Sequence, residues 1–377
     1  MSVARRRVIA LVTDAIYPYH QGGKELRYHE LSRRLVRHGH VDVYTMNWWG
    51  GDATLRDGDV TFHALTPRLP LYTKGRRSIL QAVVFALGCL RLLGRRFDVI
   101  EADHMPYFCL FTLRLVASVR RKRLVATWHE VWGPEYWATY LGRAGVVGWA
   151  IERAAMRLPD HILAASAETG ERLRAHLGPG AAITVAPNGV DLEAITAVVP
   201  AAAPTDLVFV GRLQSHKRVD LLLTAVARLR DEGRIVSCRI IGDGPERERL
   251  GAQAEALGIA GQVEFRHDVG GHDELYALLK AGRVFAFPSE REGFGIAVLE
   301  ALACGLPVVT TAAPDNLAQH LVARAPRGVV TAPDVATFAQ ALGEALDAPA
   351  TAPGGDGWLA EYDWTTVTDR VAEAVAA

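Results

Sequence analysis

The sequence is poor in cysteine, holds no clean apolar run of membrane-spanning length and carries no net charge. Its four cysteines, Cys89, Cys109, Cys238 and Cys304, form no close pair and no metal-ligand spacing. That excludes a disulfide framework and fits reduced, buried thiols of a cytoplasmic protein. The most apolar stretch, ILQAVVFALGCLRLLGRRF (79–97), is interrupted by Arg91 and ends in Arg95 and Arg96. It falls short of the ~20 apolar residues that a spanning helix needs. The first residues, MSVARRRVIALVTD, have neither the long apolar region nor the small-residue cleavage site of a signal peptide. The zero net charge hides an asymmetry: residues 1–190 hold 26 Lys and Arg against 16 Asp and Glu, and the remainder holds 16 against 26. Two units with different partners are expected from such a split.

What the sequence has in quantity is alternation. A length of 377 residues, half of them hydrophobic and 22% charged, suits a two-domain globular protein. Apolar, β-branched runs such as RVIALVTD, FDVIEAD and RLVATWHE recur, and a second series (DLVFVGRL, SCRIIGDG, RVFAFPS, PVVTT) follows them. Near-continuous apolarity is the pattern of strands buried on both faces of a parallel sheet. Helical patterns at 24–38, 218–230, 245–257 and 334–346 lie between them, giving a βαβ rhythm that occurs twice. The Ala/Pro-rich stretch 191–206 reads as a linker, 347–357 as a second loop, and 358–376 as a terminal amphipathic helix. The expectation is α/β: an N-terminal Rossmann-like doubly wound domain over 1–190, rejoined by the terminal helix, and a second over 191–357. Facing each other, such domains would bind ligands at the ends of their strands, in the cleft between them.

Two stretches carry chemistry. FVGRLQSHKRVD (209–220) leaves a strand, turns at Gly211 and offers Arg212 and Lys217 before a helix, an arrangement suited to an anion. SEREGFGIAVLEA (289–301) places Glu292 before a glycine-flanked helix start and Glu300 eight residues on, or ~12 Å along a regular helix. Gly293 and Gly295 permit close backbone approach, and a carboxylate inside an apolar helix is poorly explained as a solvated position.

Together with IIGDGPERERL, APNGVD and the N-terminal YPYHQGGKELRYHELSRRLVRHGHVDVYT, these runs resemble the retaining glycosyltransferases of family 4, which have the GT-B fold and an E-x7-E glutamate pair. The resemblance covers essentially the whole chain. It implies a nucleotide-sugar donor and a hydroxyl acceptor, with UDP the commonest nucleotide. Carried over by position, it assigns Arg212 and Lys217 to the donor diphosphate. It places Glu292 on the donor sugar, with backbone groups of Gly293, Phe294 and Gly295, and Glu300 on the ribose. Gly22 and Gly23 would line the diphosphate and acceptor side, with His129 near the donor sugar and Asn188 at the interdomain edge. Backbone groups around Arg266 and His267 would meet the base. No metal or other cofactor is implied, because the two cations can stabilise the leaving diphosphate.

Other signals are weaker. Asp57 and Asp59 have D-x-D spacing but read as an Asp-Gly turn. His267, Asp268, His272 and Asp273 read as loop polarity rather than metal ligands. IIGDG lacks the third glycine of a dinucleotide fingerprint, which argues against a nicotinamide enzyme. The aromatics of WHEVWGPEYWATYLG (Trp128, Trp132, Tyr136, Trp137, Tyr140), with Glu130, are expected to form an acceptor wall. The basic clusters Arg33/Arg34/Arg37, Arg76/Arg77, Arg95/Arg96 and RRKR (120–123) suggest peripheral contact with an anionic membrane surface. Nucleic acid is set aside for want of interleaved aromatics. The alternatives are an epimerase or phosphorylase on the same architecture, or a catalytically silent nucleotide-sugar-binding module.

Overall fold

The computed structural model describes residues 6–73, 76–348 and 357–377. The loop expected at 347–357 therefore lies almost wholly outside the described residues. The chain divides into two compact units, 1–188 with 364–377, and 189–363.

The first unit is built on an eight-stranded sheet. From one edge its strands run Ile183–Val185, His161–Ala164, Arg123–Trp128, Val99–Asp103, Val8–Val12, His40–Met46, Val60–Thr66 and Thr54–Asp57. All neighbours pair in parallel except the edge strand Thr54–Asp57, which is antiparallel to Val60–Thr66. Asp57, Gly58 and Asp59 form the hairpin between those two strands; Gly58 has φ +58°. The D-x-D spacing is thus a turn, and Asp57 pairs with Arg33 at 2.9 Å. The central strands are apolar because helices cover both faces, so Leu11, Ile100 and Val125 are all fully buried. The last helix, Trp364–Ala376, buries Trp364, Val367 and Val371 in this core. The single helix expected over 358–376 is interrupted: a short 3-10 segment, Gly357–Tyr362, belongs to the second unit.

The second unit holds six parallel strands in the order Val263–Arg266, Cys238–Ile241, Thr205–Val210, Gly282–Phe287, Val308–Thr311 and Gly328–Thr331. The order reverses between Thr205–Val210 and Gly282–Phe287, and such a switch point opens a crevice beyond the strand ends. Both chemistry-bearing stretches of this unit begin there. The expected linker 191–206 is partly helical, since Asp191 caps a helix Leu192–Ala197 by accepting from the Ala194 amide at 2.9 Å. The GDG turn also has a structural cause. A Cβ on Gly242 would lie 2.0 Å from the Gly211 carbonyl oxygen, and one on Gly244 would lie 2.3 Å from that of Leu213. Glycine is needed because this turn packs against the loop carrying Arg212.

Candidate active site

In the second unit, loop 211–218 is tied to loop 289–295. The Glu290 amide donates to the His216 carbonyl at 2.8 Å, and Ser289 Oγ donates to the same oxygen at 3.3 Å. Lys217 forms an ion pair with Glu292, and its ammonium lies 5.4 Å from the Phe287 ring centroid. The Glu292 carbonyl in turn accepts from the Leu317 amide at 2.9 Å. Gly295 has φ +91° immediately before helix Ile296–Ala303, and a Cβ there would come within 2.4 Å of Ala318 Cβ. Only glycine fits both the dihedral and the space. Gly293 is half-buried and Phe294 is buried beside it.

Arg212 is exposed, and its guanidinium has no hydrogen bond or ion pair among the described residues. Glu300 is its opposite, a carboxylate enclosed within helix Ile296–Ala303. Among the described residues its one side-chain hydrogen bond comes from the Tyr276 hydroxyl, donating at 3.5 Å. Burial pushes the Glu300 carboxyl up to about 7, against the weaker opposing pull of Tyr276. Arg266 is held by carboxylates, Asp268 at 2.8 Å and Glu274 at 3.1 Å, and its carbonyl accepts from Gly242. His267 is exposed. The Arg266 side chain is therefore committed, and Asp268 serves as its partner.

In the first unit the ends of three adjacent strands bring polar residues together. Lys24 follows the glycine pair Gly22–Gly23, which is exposed and opens helix Gly23–Leu35 with no side-chain cap. Its ammonium donates to Asp14 at 2.7 Å and to Asp103 at 2.6 Å. Arg77 and Gln81 also donate to Asp14, at 2.9 and 3.1 Å. Burial disfavours ionisation of Asp103, but Lys24 and the neighbouring imidazoles outweigh it and hold the carboxyl far below its usual range. Loss of solvation lowers His129 to about 3 despite Asp103, so its imidazole is neutral at ordinary pH. His129 Nε2 is buried, 3.7 Å from Asp103 and without a hydrogen-bond partner among the described residues. Asp103, His104 and His129 place three metal-capable atoms within 4.8 Å of one another, though the Lys24 ammonium already occupies the carboxylate. Sequence reasoning found His129 here and missed Asp14, Lys24, Asp103 and His104. The available signal was a polar residue just past each apolar strand run.

Asn188 is buried and accepts from Arg27 at 3.4 Å; the same guanidinium donates to the Pro187 carbonyl at 2.6 Å. The aromatic wall needs correction. Trp128 closes a central strand, and its fully buried indole packs against His104 and Tyr107. Trp137 is also core, donating to Glu152 at 2.7 Å. Trp132, Tyr136 and Tyr140 are half-buried, and Glu130 accepts from the Trp132 indole at 2.6 Å. Three aromatics, not five, remain within reach of solvent.

Comparison with known proteins agrees with this architecture. A glycosyltransferase family 4 model matches residues 21–194, and a model for glycosyl transferases group 1 matches 195–352. The chain belongs to the glycosyltransferases of family 4, enzymes with the GT-B fold. It is 33% identical over 239 residues to a glycogen synthase of Mycobacterium tuberculosis, an alignment covering 60% of this chain and 56% of that protein. The chain thus spans little more than half the length of that relative. A GDP-mannose-dependent alpha-(1-6)-phosphatidylinositol monomannoside mannosyltransferase of Mycolicibacterium smegmatis is 29% identical over 97% of both chains. Sucrose-phosphate synthase from Thermosynechococcus elongatus superposes with a TM-score of 0.74 at 19% identity, covering 98% of this chain and 95% of that one.

Proposed function

We propose that the chain moves a sugar, with retention of configuration, from a nucleotide-diphosphate sugar to a hydroxyl acceptor. The observation that carries this reading is the Glu300 carboxylate, enclosed and met, among the described residues, by a single distant hydroxyl. An enclosed carboxylate in that state is an unfilled acceptor for a diol such as a ribose. Arg212, unpaired, and Lys217, sharing Glu292, are the cations for the diphosphate. As the bond from the anomeric carbon to the phosphate oxygen breaks, negative charge grows on the diphosphate and these cations stabilise it, so that no metal is required. Glu292 anchors the donor sugar. The acceptor oxygen attacks the same face, forms the new bond to the anomeric carbon, and its proton passes to the departing phosphate oxygen. Neutral His129, whose Nε2 has no partner among the described residues, takes a sugar hydroxyl in this reading, as the family resemblance implies. The first unit supplies the acceptor side, including Trp132, Glu130 and Gly22–Gly23, and its basic surface contacts a membrane.

UDP is the default nucleotide by family usage. GDP-mannose is the second reading, favoured by the relative that matches over 97% of the chain and is named for it. That relative's phosphatidylinositol mannoside also favours a lipid-linked acceptor. The test is a thermal-shift screen of UDP, GDP, ADP, dTDP and their sugars. A specific ligand at a hundred times its Kd adds ~2.7 kcal/mol of stability. One nucleotide should shift the melt, and Arg212→Ala should abolish the shift. Glu300→Ala should weaken it, whereas Glu292→Ala should lower turnover and spare nucleotide binding. A shift that survives both Arg212→Ala and Glu300→Ala would remove these residues from the site.

A further inference from the structure

Apart from Gln81, which turns inward and donates to Asp14, helix Ile79–Gly88 is apolar, with Ala82, Phe85 and Ala86 buried in the first unit. Its other face is in solvent: Ile79, Leu80 and Leu87 are 69%, 70% and 60% exposed, with Val83 between them. A helix that is hydrophobic all round is normally enclosed. Helix Tyr107–Arg120 packs against it and repeats the pattern. Leu110, Leu113 and Val116 face inward while Phe111, Leu115 and Val119, at i, i+4 and i+8, are exposed. Two neighbouring apolar stripes on one surface mark an interaction site rather than scattered exposure.

The surrounding charge selects the occupant. Segments 76–97 and 104–123 hold ten cations and no Asp or Glu. Arg77, Arg114 and Lys122 are paired with Asp14, Asp160 and Asp98. Among the described residues, Arg91 and Arg120 donate to backbone carbonyls and meet no carboxylate. Arg76, Arg95, Arg96 and Arg121 are exposed and meet no carboxylate among the described residues. Two copies of so cationic a face would repel one another. An interfacial surface that accepts apolar side chains and presents anionic headgroups matches both features.

We propose that helices Ile79–Gly88 and Tyr107–Arg120 dock the protein on an anionic lipid bilayer, lying on it rather than crossing it. No helix among the described residues is long and apolar enough to cross. This deepens the membrane contact proposed above by assigning it a surface. The test is co-sedimentation of the full chain with vesicles of phosphatidylcholine alone and with 30% phosphatidylglycerol, without donor or acceptor. Failure here is therefore distinct from failure of sugar transfer. Binding to the anionic vesicles should be at least tenfold tighter than to the neutral ones. Leu80→Ser with Leu87→Ser should weaken it at least tenfold, with an unchanged melt because both side chains are exposed. Arg95→Gln with Arg96→Gln should weaken it by about fivefold per arginine. Absence of binding, equal binding to both vesicles, or full binding by the Leu80→Ser/Leu87→Ser variant would overturn the proposal. So would a dimer, seen by sedimentation velocity, that this variant abolishes.

Discussion

Glu101 and Glu300 are both enclosed carboxyls pushed up to about 7 by burial, one in each unit. One oxygen of Glu101 accepts from Thr127 at 2.5 Å and from Tyr28 at 3.1 Å, its other oxygen being buried without a partner among the described residues, where Glu300 accepts from the Tyr276 hydroxyl alone, at 3.5 Å. The contrast extends outward from each. Around Glu101, Lys24 is neutralised by Asp14 and Asp103, and Arg77 by Asp14. In the second unit, Arg212 has no partner among the described residues. Charge already answered by the protein holds its shape, while charge left unanswered is available to a ligand. By that criterion the polar cluster of the first unit is mainly a brace, and that of the second is mainly a socket.

The largest expected effect probes the brace. Lys24→Met leaves Asp14 and Asp103 without their shared cation, and removing one member of a buried pair costs about 3–5 kcal/mol. The melting temperature should fall steeply; a drop under a degree would show that the cluster is not structural. Arg212→Ala probes the socket and should do the reverse. Turnover should fall by about 10²–10³, with stability within about 0.5 kcal/mol of the parent. A destabilised Arg212→Ala protein would erase the contrast.

Glu300→Gln separates the two roles by pH. Below about 4.5 the carboxyl is protonated whether the chain is folded or not, and it contributes nothing to the pH dependence. Between 4.5 and about 7 the unfolded chain ionises while the folded one stays protonated, so native stability declines as pH rises. The whole decline amounts to about 3 kcal/mol. Glu300→Gln should therefore be more stable than the parent at pH 8 and equal to it at pH 4, by denaturant titration. Glu101 is pushed up to the same value, so the pH-dependent gain of Glu101→Gln should match that of Glu300→Gln to within about 1 kcal/mol. A much smaller gain would show that Thr127 and Tyr28 hold Glu101 ionised. The smallest effect is Asp57→Asn, which removes a surface pair with Arg33 and should change stability by less than about 1 kcal/mol.

The socket was more legible in the sequence than the brace, for a physical reason. Arg212, Lys217, Glu292 and Glu300 lie in two short runs, each following one strand, so local pattern could single them out as candidates. Asp14, Lys24, Asp103 and His129 come from separate segments that meet only because Val8–Val12, Val99–Asp103 and Arg123–Trp128 are adjacent in the sheet. Strand order is not written in the local pattern. The buried strands were readable from continuous apolarity, but Thr54–Asp57 was not, because an exposed edge strand carries no such run. Helix Leu192–Ala197 was hidden by the Ala/Pro composition around it. Trp128 was misread because a tryptophan at the end of a central strand looks the same whether its ring turns inward or outward.

The first unit takes its last helix from residues 364–377, after the chain has made all of 189–363. During synthesis at about 5–20 residues per second, the second unit therefore emerges while the first still lacks a layer. For roughly ten to thirty-five seconds the sites of Trp364, Val367 and Val371 stay open. The nascent protein spends that interval with an apolar groove exposed beside a completed sheet, and only the synthesis of residues 364–377 closes it.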